Sequence, residues 1–335
     1  MGWFRLVVER EKFLQWKKFL AVIGVIILAQ TACVPDTDGG HEGWADSSVT
    51  WDAGVDSGRD ATVRPDATWQ PPTNSRVYVN TQDSLFYIDP GQSDELVLVG
   101  KFTGPCTEGS GFYDIALDQD RRMIGIAQEG LYWIDTDTAE CTYAFQFPPD
   151  SPRFFALSYV KGVDSAHPDK DELIGASGTD GEWVLIDFPG EAISDVFIHL
   201  GYYDPGFYRW RSSGDIVSFQ VGPNQYKTYA TVRCEAYTDP PSECDSDWLV
   251  EVDPENGQAH PIGKTGFQQI YGLGFWGDRL YGFTNCHMDQ QTGECGPPGG
   301  DYITIDLQTG AGTLKQHFDS SFWGAGNTTR PYVVE

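Results

Sequence analysis

From residue 76 onward, apolar and polar positions alternate in short runs broken by Gly, Pro, Asn, Asp and Thr. This is the period-2 pattern of half-buried strands joined by turns. One phrase recurs five times: "LFYIDPGQSDELVLVG" (85–100), "LYWIDTDTAECTYAF" (131–145), "WVLIDFPGEAISDVFI" (183–198), "WLVEVDPENGQAHPIG" (248–263) and "YITIDLQTGAGTLKQ" (302–316). Each copy predicts a strand, an acidic residue at its end, a polar turn and a second strand, which is a hairpin. The acidic residue in each copy reads as a turn residue and not as a ligand.

A second phrase precedes four of the copies: an aromatic, a short strand of small residues, a turn and another strand. It reads "FYDIALDQDRRMIGIA" (112–127), "FFALSYVKGVDSAHPDKDELIGAS" (154–177), "FYRWRSSGDIVSFQVGPNQYKTYATV" (207–232) and "YGLGFWGDRLYGFTN" (271–285). Each unit therefore holds four strands. The turn aspartates Asp89, Asp135, Asp187, Asp253 and Asp306 lie 46, 52, 66 and 53 residues apart. That period with four strands per unit predicts an all-β fold, a β-propeller. The residues left over at the two ends make nearly one further unit, and "FWGAGNTTRPYVV" (322–334) supplies the aromatic first strand that "RVYVNTQDSLFYIDP" (76–90) lacks. The expectation is five four-stranded blades, one shared between the chain ends, which closes the ring without free sheet edges. Six blades is the alternative if the 66-residue spacing hides a degenerate unit, and a sandwich of irregular hairpins is the other all-β arrangement.

The first 75 residues follow a different pattern. Residues 1–20 carry a net charge of +3 and lead into the apolar run "FLAVIGVIILA" (Phe19–Ala29). Eleven apolar residues suit a signal peptide and fall short of the roughly 20 needed to span a bilayer. "QTAC" then places small residues before Cys33, and from Val34 to Ser75 eight acidic residues and two arginines are spread among Gly, Ser, Thr and Pro, with Trp44, Trp51 and Trp69. A segment of this composition does not bury enough to offset its conformational entropy. The division expected is signal peptide 1–32, spacer 33–75 and propeller 76–335. At flexible-linker dimensions the spacer reaches about 35 Å.

Residues 1–33 resemble a bacterial lipoprotein signal, although Gln30 stands where that pattern has Leu. The resemblance implies lipidation at Cys33, and Val34 in place of Asp implies outer-membrane delivery in a Gram-negative bacterium, facing the periplasm or the surface. Leu131–Ile134, Ile305–Gly310 and Trp323–Thr329 give residues 76–335 a resemblance to lipid-anchored envelope β-propellers, similar in style to YVTN, NHL and PQQ-type repeats. This second resemblance implies an architecture and little chemistry.

Charge narrows the partners. With 22 basic against 49 acidic residues the chain carries -27, which repels phosphate backbones, so nucleic acid is not an expected partner. A membrane contact through the lipid, a protein or carbohydrate ligand, and a monomeric chain are expected. Beyond Cys33 six cysteines remain, an even number that favours disulfides in an exported protein. Cys234 with Cys244 and Cys286 with Cys295 fall at equivalent points of consecutive units, which predicts local pairing and leaves Cys106 for Cys141. No C-x-x-C occurs, and a single histidine, His287, lies beside a cysteine, so no metal and no cofactor is expected.

Propeller ligands meet the end where loops lead into the innermost strands. Those loops place Tyr113, Phe155, Tyr208, Tyr271 and Trp323 at equivalent positions, either as packing between blades or as a platform for a flat ligand. Asp114 and Arg209 break the symmetry one residue further on, and Gln268 lies in the same class of loop. The candidate ligand-binding set is therefore Asp114, Tyr208, Arg209, Gln268, Tyr271 and Trp323. No catalytic residue is expected. G-x-S-x-G is absent, the inner strands offer Asp114, Asp118 and Asp215 with no glutamate, and Asp114, Asn224 and Asn327 are thin candidates for a metal-dependent lactonase. A non-catalytic binding module is the leading expectation. A hydrolase or lactonase in the channel and a structural envelope component are the alternatives.

Overall fold

A computed structural model describes residues 76–331, apart from 110, 149–150, 189–195, 205–207, 223–224, 237–243, 288–295 and 297–298. The chain divides into two compact units, Met1–Arg64 and Pro65–Glu335, and every described residue belongs to the second. The signal segment, Cys33 and the spacer lie outside the described residues. Among the described residues no helix is long and apolar enough to cross a membrane.

Five four-stranded antiparallel sheets form the domain. The first combines both ends of the chain: β1 (Val77–Asn80), β2 (Ser84–Asp89) and β3 (Ser93–Lys101), with β20 (Gly324–Gly326) as innermost strand. The second holds β4 (Asp114–Leu117), β5 (Met123–Ala127), β6 (Gly130–Ile134) and β7 (Cys141–Gln146). The third holds β8 (Ala156–Val160), β9 (Glu172–Ala176), β10 (Glu182–Ile186) and β11 (Phe197–Tyr202). The fourth holds β12 (Tyr208–Gly222), β13 (Gln225–Ala236), β14 (Trp248–Val252) and β15 (Ala259–Lys264), and the fifth β16 (Ile270–Trp276), β17 (Arg279–Thr284), β18 (Gly300–Ile305) and β19 (Gly312–Phe318). The fold is a five-bladed β-propeller. The described residues hold no sixth blade, and the long β12–β13 hairpin takes up much of the 66-residue spacing.

The alternation in the sequence has a specific cause. Every blade is buried on both faces, so odd and even positions of one strand serve different neighbours. On β4, Ile115 and Leu117 pack with the first blade while Ala116 packs with the third; on β12, Ile216 faces the third blade and Val217 the fifth. The core is accordingly five clusters, one at each of the five interfaces, and Val77, Val79, Tyr281, Phe283, Tyr302 and Phe322 close the ring between the fifth and first blades.

The repeated hairpin phrase also joins blades. Cys141, Ala259 and Gly312, at the start of each returning strand, donate backbone N–H bonds to Thr103, Tyr203 and Thr265 of the preceding blade. Four residues after the turn aspartate, Ala139, Gly257 and Gly310 take the left-handed conformation (φ 60, 76 and 75°) that brings the strand back. The aspartates are turn residues: Asp135 Oδ1 accepts the Asp137 and Thr138 N–H groups, and Asp306 Oδ1 those of Gln308 and Thr309.

Cys106 is bonded to Cys141, which ties a 3-10 turn at Pro105–Glu108 to the second blade, and Cys234 is bonded to Cys244 after β13. Cys286 is likewise disulfide-bonded, while Cys295 lies outside the described residues. These bonds are those of an oxidising compartment, as an exported chain meets.

Candidate functional site

The innermost strand of each blade has no sheet neighbour on its axial side, so its inward backbone N–H groups need other acceptors. At one level those groups belong to Ile115, Leu157, Ile216, Leu273 and Ala325, one from each blade. All five are taken by two side chains. Asp114 accepts from Ile115 (2.8 Å) and Leu157 (2.7 Å), and Asp215 accepts from Ile216 (2.6 Å), Leu273 (2.5 Å) and Ala325 (3.3 Å). The two carboxyls also hydrogen-bond each other. Both are fully buried. Burial, then the charge of Asp215, pushes Asp114 well above the ordinary carboxylate range, and burial does the same to Asp215. Two carboxyls in contact and out of water disfavour the doubly ionised state.

The other three inner strands carry Ala156, Gly272 and Gly324 at this level, and only small residues fit. A Cβ on Gly324 would lie 2.2 Å from Asp114 Oδ1. Further along the axis Asn327 accepts the Phe275 N–H (2.6 Å). Beyond it the ammonium of fully buried Lys161 pairs with Asp171 (2.9 Å) and bonds Gln119 (3.1 Å) and the Asp169 carbonyl. The two carboxyls fill the axis at their own level.

Above the carboxyl pair, at the end where loops lead into the inner strands, lies a cavity of about 140 Å³. Its wall is an aromatic arc in which ring centroids are 5.6 Å apart for Phe155 and Tyr113, 6.4 Å for Tyr113 and Trp323, and 6.2 Å for Trp323 and Tyr271. The opposite wall is polar and small: Gly178, Ser212, Ser213 and Gly214, with Arg233 and Asn285. Arg233 donates to the Gly178 carbonyl (3.0 Å), and Ser213 donates to Asp247 (2.5 Å), which also accepts the Ile270 N–H (2.9 Å). Burial pushes Asp247 up to about 6 against these bonds. Ser213 has a carboxylate partner and no imidazole, so it lacks the base of a nucleophilic serine. A second groove of about 520 Å³ runs outward between Gln128, Gln146, Pro148, Arg153 and Phe154, and it shares Tyr113 with the cup.

The candidate residues distribute unevenly. Tyr271 and Trp323 line the cup, and Asp114 lies beneath it, paired with Asp215. Gln268 donates to the Asp245 carbonyl at the surface, away from the cup lining. The side chains of Tyr208 and Arg209, and all of Asn224, lie outside the described residues. The backbone nevertheless shows that Tyr208 and Arg209 are not the fourth blade's counterparts of Tyr113 and Asp114. Gly214 and Asp215 are: Gly214 lines the cup, where a Cβ would come within 2.2 Å of Tyr271 Cα, and Ile216 matches Ile115 in its bond to the preceding carboxylate. β12 starts six residues early, and a register shift between Ser212 and Ile216 absorbs the excess. The arc is open on this side because glycine stands where the other blades have an aromatic. Sequence reasoning missed Asp247 and the Lys161–Asp171 pair, which carry no local motif; Lys161 and Asp171 stand at the two ends of the β8–β9 connection.

No protein-family model matches the sequence, and neither does any curated protein sequence. Among solved structures the chain is similar to TolB from Acinetobacter baumannii (13% identity, TM-score 0.37, covering 72% of this chain and 52% of that one). It is also similar to a protein of unknown function from Bacteroides caccae (14%, TM-score 0.40, 77% and 99%). A third likeness is to the PQQ-bound aldose sugar dehydrogenase from Streptomyces coelicolor (13%, TM-score 0.38, 77% and 90%). The chain thus spans about half the length of that TolB. The propeller assignment rests on the strand order and not on these likenesses.

Proposed function

We propose that this chain is an exported, lipid-anchored binding module whose aromatic cup seats one ring of a saccharide at the mouth of a closed channel. The observation that carries this reading is the state of Asp114 and Asp215. Paired glycosidase carboxylates stand about 5 to 10 Å apart and reach a substrate. Here the two are in contact, fully buried and saturated by five backbone donors, which leaves neither free for acid or base work. A hydrolase in the channel is therefore not favoured. The cup, by contrast, offers aromatic faces on one side and hydroxyl, amide and guanidinium groups on the other, the mixture that recognises a sugar ring. The adjoining groove gives a longer chain somewhere to run.

Lipidation of Cys33 and outer-membrane residence extend the same reading, supported by the signal-like first 33 residues and the disulfides. A glycan array probed with wild type and with Trp323→Ala tests the cup. The reading expects saccharides retained by wild type and lost by the variant, and it fails if retention is equal. Membrane fractionation of Cys33→Ala tests the anchor, which fails if the variant stays with the membranes.

A further inference from the structure

We propose that His287, Asp301 and His317, in the outer half of the fifth blade, form a binding site for a divalent ion of the zinc type. Asp301 on β18 and His317 on β19 are direct cross-strand partners, so their side chains share one face of the sheet. His287 comes to them from the loop that leaves β17. The Nδ1 atoms of His287 and His317 stand 2.8 and 2.6 Å from one and the same oxygen, Asp301 Oδ1. The three donor atoms all lie within 4.8 Å of one another, and the two rings meet at 85° with centroids 5.0 Å apart.

Donor chemistry selects the ion. Two imidazole nitrogens and one carboxylate oxygen are a zinc-type set, whereas magnesium and calcium take oxygen ligands. At bond lengths of about 2.0 to 2.2 Å, tetrahedral ligand atoms stand roughly 3.3 Å apart. An ion therefore has to lengthen the two histidine–Asp301 separations of 2.8 and 2.6 Å by about 0.5 and 0.7 Å, and to bring the three donors, all within 4.8 Å, to that spacing. The Asp301 side chain is 1% exposed and its charge is met by the two imidazoles, while the His317 side chain is 56% exposed, which admits the ion and leaves a fourth position to water.

The surroundings hold the ligands in place. The Asp301 N–H donates to Thr284 Oγ1 (2.7 Å), which in turn donates to the Cys286 carbonyl (2.6 Å), so one hydroxyl fixes the carboxylate-bearing strand and the residue before His287. Gly299 makes room for the His287 ring: a Cβ there would lie 2.2 Å from Nε2, and its φ of 140° disfavours a side chain. Three ligands spread over a loop and two strands thus converge on one point, at the end of the propeller that carries the cup. Bound there, the ion ties the outermost strand of the fifth blade to the disulfide-bearing loop.

The test is a zinc titration of the chain carrying no histidine tag, by calorimetry, together with the visible absorption of cobalt substituted for zinc. One ion per chain is expected, with millimolar magnesium or calcium failing to compete. His287→Gln and His317→Gln should each weaken binding at least tenfold and alter the cobalt spectrum, and Gly299→Ala should weaken it through His287. His317→Gln alters an exposed side chain, and its unchanged far-ultraviolet circular dichroism checks the fold. Zinc bound by both glutamine variants as tightly as by wild type would place the ion on the remaining histidines, His41, His167, His199 and His260, and overturn the proposal. So would the absence of one-to-one binding by wild type.

Discussion

Asp114 and Asp215 hydrogen-bond to one another across the propeller axis, and between them they accept one backbone N–H from each of the five innermost strands. A five-fold ring of inward donors is answered by two side chains, and the small residues Ala156, Gly272 and Gly324 complete the level. Carboxylates usually mark chemistry in a channel. Here they replace the sheet neighbour that the inner strands lack.

Asp247 gives stability a pH dependence that can be isolated. Its folded value is about 6, raised by burial, against about 3.9 in an unfolded chain. A raised carboxyl holds its proton better folded than unfolded, so its contribution is fully present below about pH 4 and is lost as pH rises to 6, about 3 kcal/mol in all. Asp247→Asn keeps a carbonyl for Ser213 and Ile270 and removes that titration. Unfolding free energies of the two proteins, followed from pH 4 to 7, should differ by an amount that changes across this window. Parallel curves would refute the assignment.

The Cys106–Cys141 bond closes a loop of 35 residues and fastens the 3-10 turn after the shared blade to the second blade. Replacing both cysteines by serine should lower stability by about 3 to 4 kcal/mol in urea unfolding. Because the bond fastens the segment that connects the first and second blades, limited proteolysis should cut first between residues 101 and 113 in the variant.

The left-handed turn position separates its three occupants. A Cβ on Gly257 would lie 2.4 Å from Trp183 Cβ at a φ of 76°, so Gly257→Ala should cost more than about 2 kcal/mol. Ala139 already occupies the equivalent place, with its methyl buried against the first blade. Ala139→Gly trades about 1 kcal/mol of relieved strain for a similar loss of burial, and thermal unfolding should move little.

Trp323 stands in the middle of the aromatic arc, touching Tyr113 and Tyr271. Trp323→Ala should abolish saccharide binding yet cost only about 1 to 2 kcal/mol of stability, because the ring is half exposed. Trp323→Tyr should keep most of both. A loss of fold in the alanine variant without any ligand found for wild type would assign the arc to packing alone.

The five blades were legible because each outer hairpin repeats one phrase, and in the second, fourth and fifth blades that phrase does the same physical work: an aspartate caps the turn and the returning strand bonds the preceding blade. The fourth inner strand was not legible. "GFYR" (206–209) looks like the other aromatic loops, while the true counterpart, Gly214–Asp215, lacks the aromatic and follows a register shift that pattern alone does not reveal. His287, Asp301 and His317 were hidden for a related reason. Asp301 and His317 become neighbours only once the β18–β19 register is known, and His287 reaches them across a glycine that reads in sequence as an ordinary loop residue.

The central claim is that the axial carboxyl pair is structural, holding the backbone donors of the five inner strands. Urea unfolding of Asp114→Asn and Asp114→Ala at pH 7 tests it most directly. An amide donates to Asp215 and keeps one oxygen for Ile115 or Leu157 but turns its N–H2 toward the other backbone donor, so Asp114→Asn should lose about 1 to 3 kcal/mol. Asp114→Ala leaves the buried Ile115 and Leu157 N–H donors without an acceptor and a cavity beside Asp215, and should lose about 3 to 5 kcal/mol. An asparagine variant as unstable as the alanine variant would contradict the account.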